Sequence, residues 1–176
     1  MDRPDVSAAV MRFLATLDPG DVVHGTVARI ENFGVFVNLD DGPEPEIGYV
    51  PPPEVSWKWI SSARDVVAEG QRVAGRILAV DTDFRGQAVL SLCALQPNPW
   101  TVWATRVGSL VTGRVDRNVV ALGVFVELDE GIAGLLPRDE VAVAGEQARL
   151  LPGRELTVRI AEVEVPRRRI RLSLPT

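Results

Sequence analysis

The chain says nearly the same thing twice, and a repeat constrains architecture more tightly than composition does. Glu31-Asn32-Phe33-Gly34-Val35-Phe36-Val37-Asn38-Leu39 returns as Val120-Ala121-Leu122-Gly123-Val124-Phe125-Val126-Glu127-Leu128. Three further landmarks keep their order. Gly25-Thr26-Val27 pairs with Gly113-Arg114-Val115, Gly48-Tyr49-Val50-Pro51 with Gly134-Leu135-Leu136-Pro137, and Val89-Leu90-Ser91-Leu92 with Arg171-Leu172-Ser173-Leu174. In chain order the offsets between partners are 88, 89, 86 and 82 residues. Loops therefore change length while a strand framework persists. Two small domains of one kind follow, and 176 residues accommodate two units of roughly 70–75 residues.

Strand signals in both copies are β-branched runs of alternating polarity bounded by Gly or Asp turns. They predict strands at Val22–Ile30, Gly34–Leu39, Ile47–Val50, Arg72–Asp81 and Ala88–Cys93. In the second copy the strands fall at Leu110–Arg117, Gly123–Leu128, Ala133–Leu136, Glu155–Glu164 and Arg169–Leu174. Each copy has one longer connection, Pro52–Gly70 or Arg138–Gly153, which predicts a short helix. Five strands with one insertion, and no long amphipathic helices between them, point to an all-β chain. The expected fold is two tandem five-stranded barrels of the oligonucleotide/oligosaccharide-binding (OB-fold) type. Between Asp5 and Leu17, the residues Val6, Val10, Phe13, Leu14 and Leu17 make a helical stripe that Pro19-Gly20 ends, predicting a short N-terminal helix on the first barrel. The expected organisation is a helix in residues 1–20, a first barrel in 21–96, a Pro/Trp linker in 97–105 and a second barrel in 106–176.

No apolar run approaches the roughly 20 residues that span a bilayer. Met1-Asp2-Arg3-Pro4-Asp5 lacks the basic flank and apolar stretch of a secretory signal. Cys93 is the single cysteine and His24 the single histidine, which excludes an internal disulfide and a Cys/His zinc site. A cytoplasmic chain without membrane, metal or cofactor is expected. Charge separates the halves. Residues 21–96 hold six basic and eleven acidic side chains, a net of −5, whereas residues 102–176 hold eleven Arg and ten Asp or Glu, a net of +1. An acidic chain attracts a polyanion only through a local basic patch.

Side chains alternate across a strand. Val35, Val37 and Leu39 mark the core face of the second predicted strand, leaving Phe36 on the outer face. By the same parity Phe125 faces outward in the second copy. An outward ring can stack on a nucleobase, at about 1–3 kcal/mol per base. The competing reading is that the leader helix covers Phe36 and the neighbouring unit covers Phe125. Near the C-terminus, Ile170, Leu172 and Leu174 face inward, leaving Arg169, Arg171 and Ser173 outward with Arg167 and Arg168 just before them. These arginines suit phosphates or base stacking; alternatively they pair with Glu162 and Glu164. The first copy has a thinner version in Arg85. Cys–His and Ser–His–Asp catalysis lack raw material, and Asp40-Asp41-Gly42-Pro43-Glu44-Pro45-Glu46 lacks calcium-loop spacing. No enzyme is expected.

These residues resemble the S1-type RNA-binding domain, the OB-fold module repeated in ribosomal protein S1. The resemblance rests on Gly25-Thr26-Val27, Asn32-Phe33-Gly34-Val35-Phe36-Val37, Gly48-Tyr49-Val50, Val80-Asp81 and Leu90-Ser91-Leu92. Glu54-Val55-Ser56-Trp57 and Leu95-Gln96-Pro97-Asn98-Pro99-Trp100 are similar to the ending and the joint of ribosomal repeats. The resemblance implies single-stranded RNA held by two aromatics, a histidine, an Asp and an Arg. Carried over, the aromatics are Phe33 and Phe36 and the acid is Asp81, with Arg85 standing in for the arginine; Pro51 occupies the histidine position. In the second copy the aromatic positions are Leu122 and Phe125, the acid Glu164 and the arginine Arg169, with Pro137 in place of histidine.

The expected RNA-binding residues are therefore Phe33, Phe36, Asp81, Arg85, Phe125, Arg167, Arg169 and Arg171. Weak binding of single-stranded RNA, with little sequence preference and a role in translation or mRNA handling, is one expectation. The other is an adaptor that docks the ribosome or another protein through the acidic first domain. Its candidate surface is Trp57, Trp59 and Ile60, which otherwise cap the barrel end.

Overall fold

Alternating apolar and polar side chains build ten strands among the described residues. In the computed structural model, which describes residues 6–144 and 150–175, the first copy has β1 (Val22–Glu31), β2 (Gly34–Leu39), β3 (Gly48–Val50), β4 (Arg72–Asp81) and β5 (Gln87–Ser91). The second has β6 (Leu110–Val119), β7 (Gly123–Asp129), β8 (Ile132–Pro137), β9 (Glu155–Glu164) and β10 (Arg169–Ser173). Each set closes into a barrel in one order, β1-β2-β3-β5-β4 and β6-β7-β8-β10-β9. The β3/β5 and β8/β10 pairs are parallel and the others antiparallel. Both are OB-fold barrels, in two units, Met1–Pro97 and Asn98–Thr176.

The predicted parity holds inside each barrel. Val27, Val35, Val37, Ile77 and Leu90 fill the first, and Val115, Val124, Val126, Ile160 and Leu172 are buried in the second. The leader stripe becomes α1 (Ala8–Leu14), capped by Ser7, whose hydroxyl accepts from the Val10 amide at 3.2 Å. Seven residues are too few to hold a helix alone. Burial of Val10 and Leu14 in the first core supplies the rest. In the first long connection, single 3₁₀ turns form at Pro52–Glu54 and Ala63–Asp65. The second connection starts with α3 (Arg138–Ala144). Its residues 145–149, and Asp5 of the predicted leader, lie outside the described residues.

The stretch read as a Pro/Trp linker contains a helix, α2 (Pro99–Ala104), which packs on β9. Asn98 accepts from the Trp100 amide at 3.0 Å and Pro99 takes the first helical position, a cap-then-proline start. Trp100 and Trp103 then share a face and are buried. Each copy thus opens alike. The Gly20 amide donates to Ile77 O at 2.7 Å, as Gly108 does to Ile160 O at 2.7 Å. Arg76 and Arg159 return bonds to the two glycine carbonyls at 3.0 and 2.6 Å.

Two features aim side chains at the outer face. Gly34 and Gly123 have φ of +149° and +134°. A Cβ at Gly34 would collide with the Tyr49 ring, and one at Gly123 with the Leu136 carbonyl. A β-bulge interrupts β1 between Val27 and Arg29, and its counterpart interrupts β6 between Val115 and Arg117. Strict alternation from Val27 would turn Arg29 into the core. The extra residue turns it out beside Phe36.

Candidate nucleic-acid interface

Residues paired across neighbouring strands share a face, so the register gives the outer row of each barrel. In the first it runs Arg29–Phe36–Tyr49–Val89–Ala79. In the second it runs Arg117–Phe125–Leu135–Arg171–Glu162. Both rows begin with an arginine lying on a phenylalanine. The Arg29 Cζ is 4.1 Å from the Phe36 ring centroid, and Arg117 is 4.7 Å from that of Phe125. The rows then diverge. The first continues with a second ring, and the second with Leu135 and a second cation.

Phe36 faces outward as its parity requires, yet it is only 6% exposed. Arg29, the Tyr49 ring at 5.4 Å and the edge of Phe33 at 5.9 Å close over it. Phe33 carries the accessible ring, 56% exposed. The Tyr49 hydroxyl donates to the Phe33 carbonyl at 2.6 Å, fixing this three-ring cluster. Arg29 is engaged on both sides: Nε and Nη2 donate to Glu46 at 3.0 and 3.3 Å, and Nη1 to Glu31 at 3.2 Å. Glu46 above all strengthens the guanidinium's hold on its proton; burial opposes it, and Glu31 adds a lesser strengthening.

Both acidic positions have partners within their own barrels. Asp81 accepts from the amides of Asp83, Phe84 and Arg85 at 3.1, 3.0 and 3.3 Å. These bonds, Phe84's foremost, hold its carboxyl below the usual carboxylate range. It caps the β4–β5 turn. Glu164 faces Arg169 across the β9–β10 ladder and pairs with Arg167 at 3.6 Å. Arg85 is exposed on the first hairpin.

In the terminal patch, Arg171 pairs with Glu162 at 3.3 Å, so Arg167 and Arg171 are both partly neutralised. Among the described residues, Arg169 and Arg117 have no carboxylate within ion-pair distance. Phe125 lies half-buried between Arg117 and Leu135. The residues considered for protein docking separate. Trp57 donates to Gln96 O at 3.0 Å, Ile60 packs against the first core, and Trp59 stands 59% exposed.

Arg29, Tyr49 and Arg117 were not among the expected site residues. Tyr49 was open to the parity argument, because Gly48 and Val50 on either side are buried. The arginines sit at the landmark offset of 88 residues, and the repeat was the signal that could have found them. The bulge hid them from simple alternation.

Two closed OB barrels, each bearing an arginine-on-phenylalanine row outside, define a tandem β-barrel module. The chain belongs to the S1 RNA binding domain family, whose model matches residues 16–92 and 105–174. It is 38% identical over 167 residues to the small ribosomal subunit protein bS1 of Mycobacterium tuberculosis, covering 92% of this chain and 34% of that protein. It is 32% identical over 163 residues to 4-hydroxy-3-methylbut-2-enyl diphosphate reductase of Clostridium acetobutylicum, covering 90% of this chain and 24% of that protein. Among solved structures, a match to the a/eIF2alpha-aDim2p-rRNA complex from Pyrococcus horikoshii OT3 has a TM-score of 0.42 at 31% identity, covering 51% of this chain and 52% of that one. The chain spans only about a third of the length of the ribosomal relative.

Proposed function

We propose that this chain is a non-enzymatic RNA-binding protein that engages single-stranded RNA weakly and with little sequence preference. The observation that carries the reading is the outer row of the second barrel. Arg117 lies on Phe125 there, Arg171 stands beyond Leu135 in the same row, and Arg169 lies two residues before Arg171 on the same face of β10. A base stacked on Phe125 would have cations on both sides for its phosphates, contacts that position the backbone without reading sequence. One or two stacked bases, at about 1–3 kcal/mol each less the ordering cost, give micromolar affinity or weaker. Membership of the S1 RNA binding domain family supports the chemistry, and the ribosomal relative supports a setting in cytoplasmic translation.

The test is anisotropy of a labelled single-stranded RNA titrated with the full chain. Arg117→Ala and Phe125→Ala should each weaken binding about five- to tenfold, the worth of one stacked base, in protein that urea unfolding shows to be folded. Parent-like affinity in both variants would remove this face from the reading.

A further inference from the structure

The two barrels present the same arginine on the same phenylalanine, but among the described residues only the first surrounds it with carboxylates. Arg29 is clasped by Glu46 through two nitrogens and by Glu31 through a third. Both carboxylates are specific to this copy. Glu31 pairs with Gly34 across the ladder, and the residue that pairs with Gly123 in the second copy is Val119. Glu46 comes from the link between β2 and β3, which spans residues 40–47, whereas residues 130–131 alone join β7 to β8. The long loop places its glutamate deliberately. The Glu46 backbone sits at φ +59°, in the left-handed region unusual for a side chain, and the Asn38 side chain accepts from its amide at 2.8 Å.

We propose that Glu31 and Glu46 form an electrostatic clamp that holds the first barrel's aromatic face at low RNA affinity. This rests on the RNA reading above. The first face is the richer in rings, with Phe33, Phe36 and Tyr49 in contact, and rings favour bases. Its arginine and two glutamates nevertheless carry a net charge of −1, where Arg117 alone contributes +1 to the second face. A phosphate approaching Arg29 meets both carboxylates and must displace them. Arg29 and Glu46 side chains are 41% and 35% exposed, and pairs so open to water contribute little to folding. The strained placement of Glu46 therefore serves the face and not the core. The second barrel engages RNA first, and the first adds stacking only when its clamp opens.

The experiment uses the full chain and labelled oligouridine, with affinity read at several salt concentrations. Arg117→Ala/Phe125→Ala/Arg169→Ala/Arg171→Ala silences the second face. Adding Glu31→Gln/Glu46→Gln to that protein should tighten binding at least fivefold and steepen the log–log salt slope by about 0.7, the share of one phosphate contact on a single strand. Adding Arg29→Ala should abolish the gain. Glu46→Gly provides an independent variant that keeps the fold, because glycine suits a positive φ; it should give part of the same gain. If the parent binds and the silenced protein does not, but removing the carboxylates restores nothing, the clamp is overturned and the RNA reading stands. If the parent and the Glu31→Gln/Glu46→Gln protein both fail to bind at low salt, both fall.

Discussion

Phe36 shows how far one residue can be read from sequence. Alternation correctly turned it away from the core, because Val35 and Val37 on either side are fully buried. Its accessibility was not legible, since that depends on Arg29 from β1 and Tyr49 from β3, residues brought in by strand pairing and, for Arg29, by a bulge. The consequence is experimental. Phe36→Ala should cost about 3–5 kcal/mol of stability, as other buried rings do, while Phe33→Ala should change it by less than about 0.5 kcal/mol. Urea unfolding of the two variants checks this, and equal midpoints would contradict the buried placement. Loss of RNA binding in Phe36→Ala would thus report unfolding as readily as a lost contact. Phe33 is the cleaner probe of the first face.

At the scale of an element, the β4–β5 hairpin shows a structural task carried by an aligned site position. Asp81 stands where the resemblance puts an RNA-contacting acid, yet its oxygens accept three turn amides. The sequence showed an Asp before a Gly-containing turn but not which task it performs, because that depends on how the backbone closes. Its carboxyl is held below the usual range, so its stabilisation is present above an unfolded pKa of about 3.9 and disappears as pH falls through the lower folded value. Asp81→Ala should therefore lower stability by about 1 kcal/mol at pH 7, the worth of a lost turn bond or two. That difference should shrink below the folded pKa to what a neutral acceptor oxygen retains. Asp81→Asn, which keeps one acceptor oxygen, should fall between. Urea midpoints across an acid titration test the order, and an undiminished difference at the most acid pH that leaves the chain folded would show that charge is not involved. The α2 helix makes the converse point: its Asn98-Pro99 start and its Trp100/Trp103 spacing are in the sequence, but two prolines around Asn98 are equally the mark of a stiff linker.

Across the whole molecule the repeat made the fold legible, since two matching strand frameworks leave few topologies, and it obscured how differently the copies are equipped. One barrel has rings with a neutralised arginine; the other has one ring between cations. Register, not composition, shows this, because Arg171 reaches the Phe125 row only through the parallel β8–β10 pairing and Val89 takes the matching place beside Tyr49. The asymmetry fixes how binding should respond to salt. Arg117, Arg169 and Arg171 offer three phosphate contacts, and at about −0.7 each on a single strand they give a log–log slope near −2. Affinity should then fall about fifteen- to twentyfold between 50 and 200 mM salt. Were Arg29 also free to meet phosphate, the slope would approach −2.8. Anisotropy titrations of the parent at four or five salt concentrations separate these values. A slope near −1.4 would mean that Arg171 stays with Glu162, and one shallower than about −0.7 that stacking alone holds the RNA.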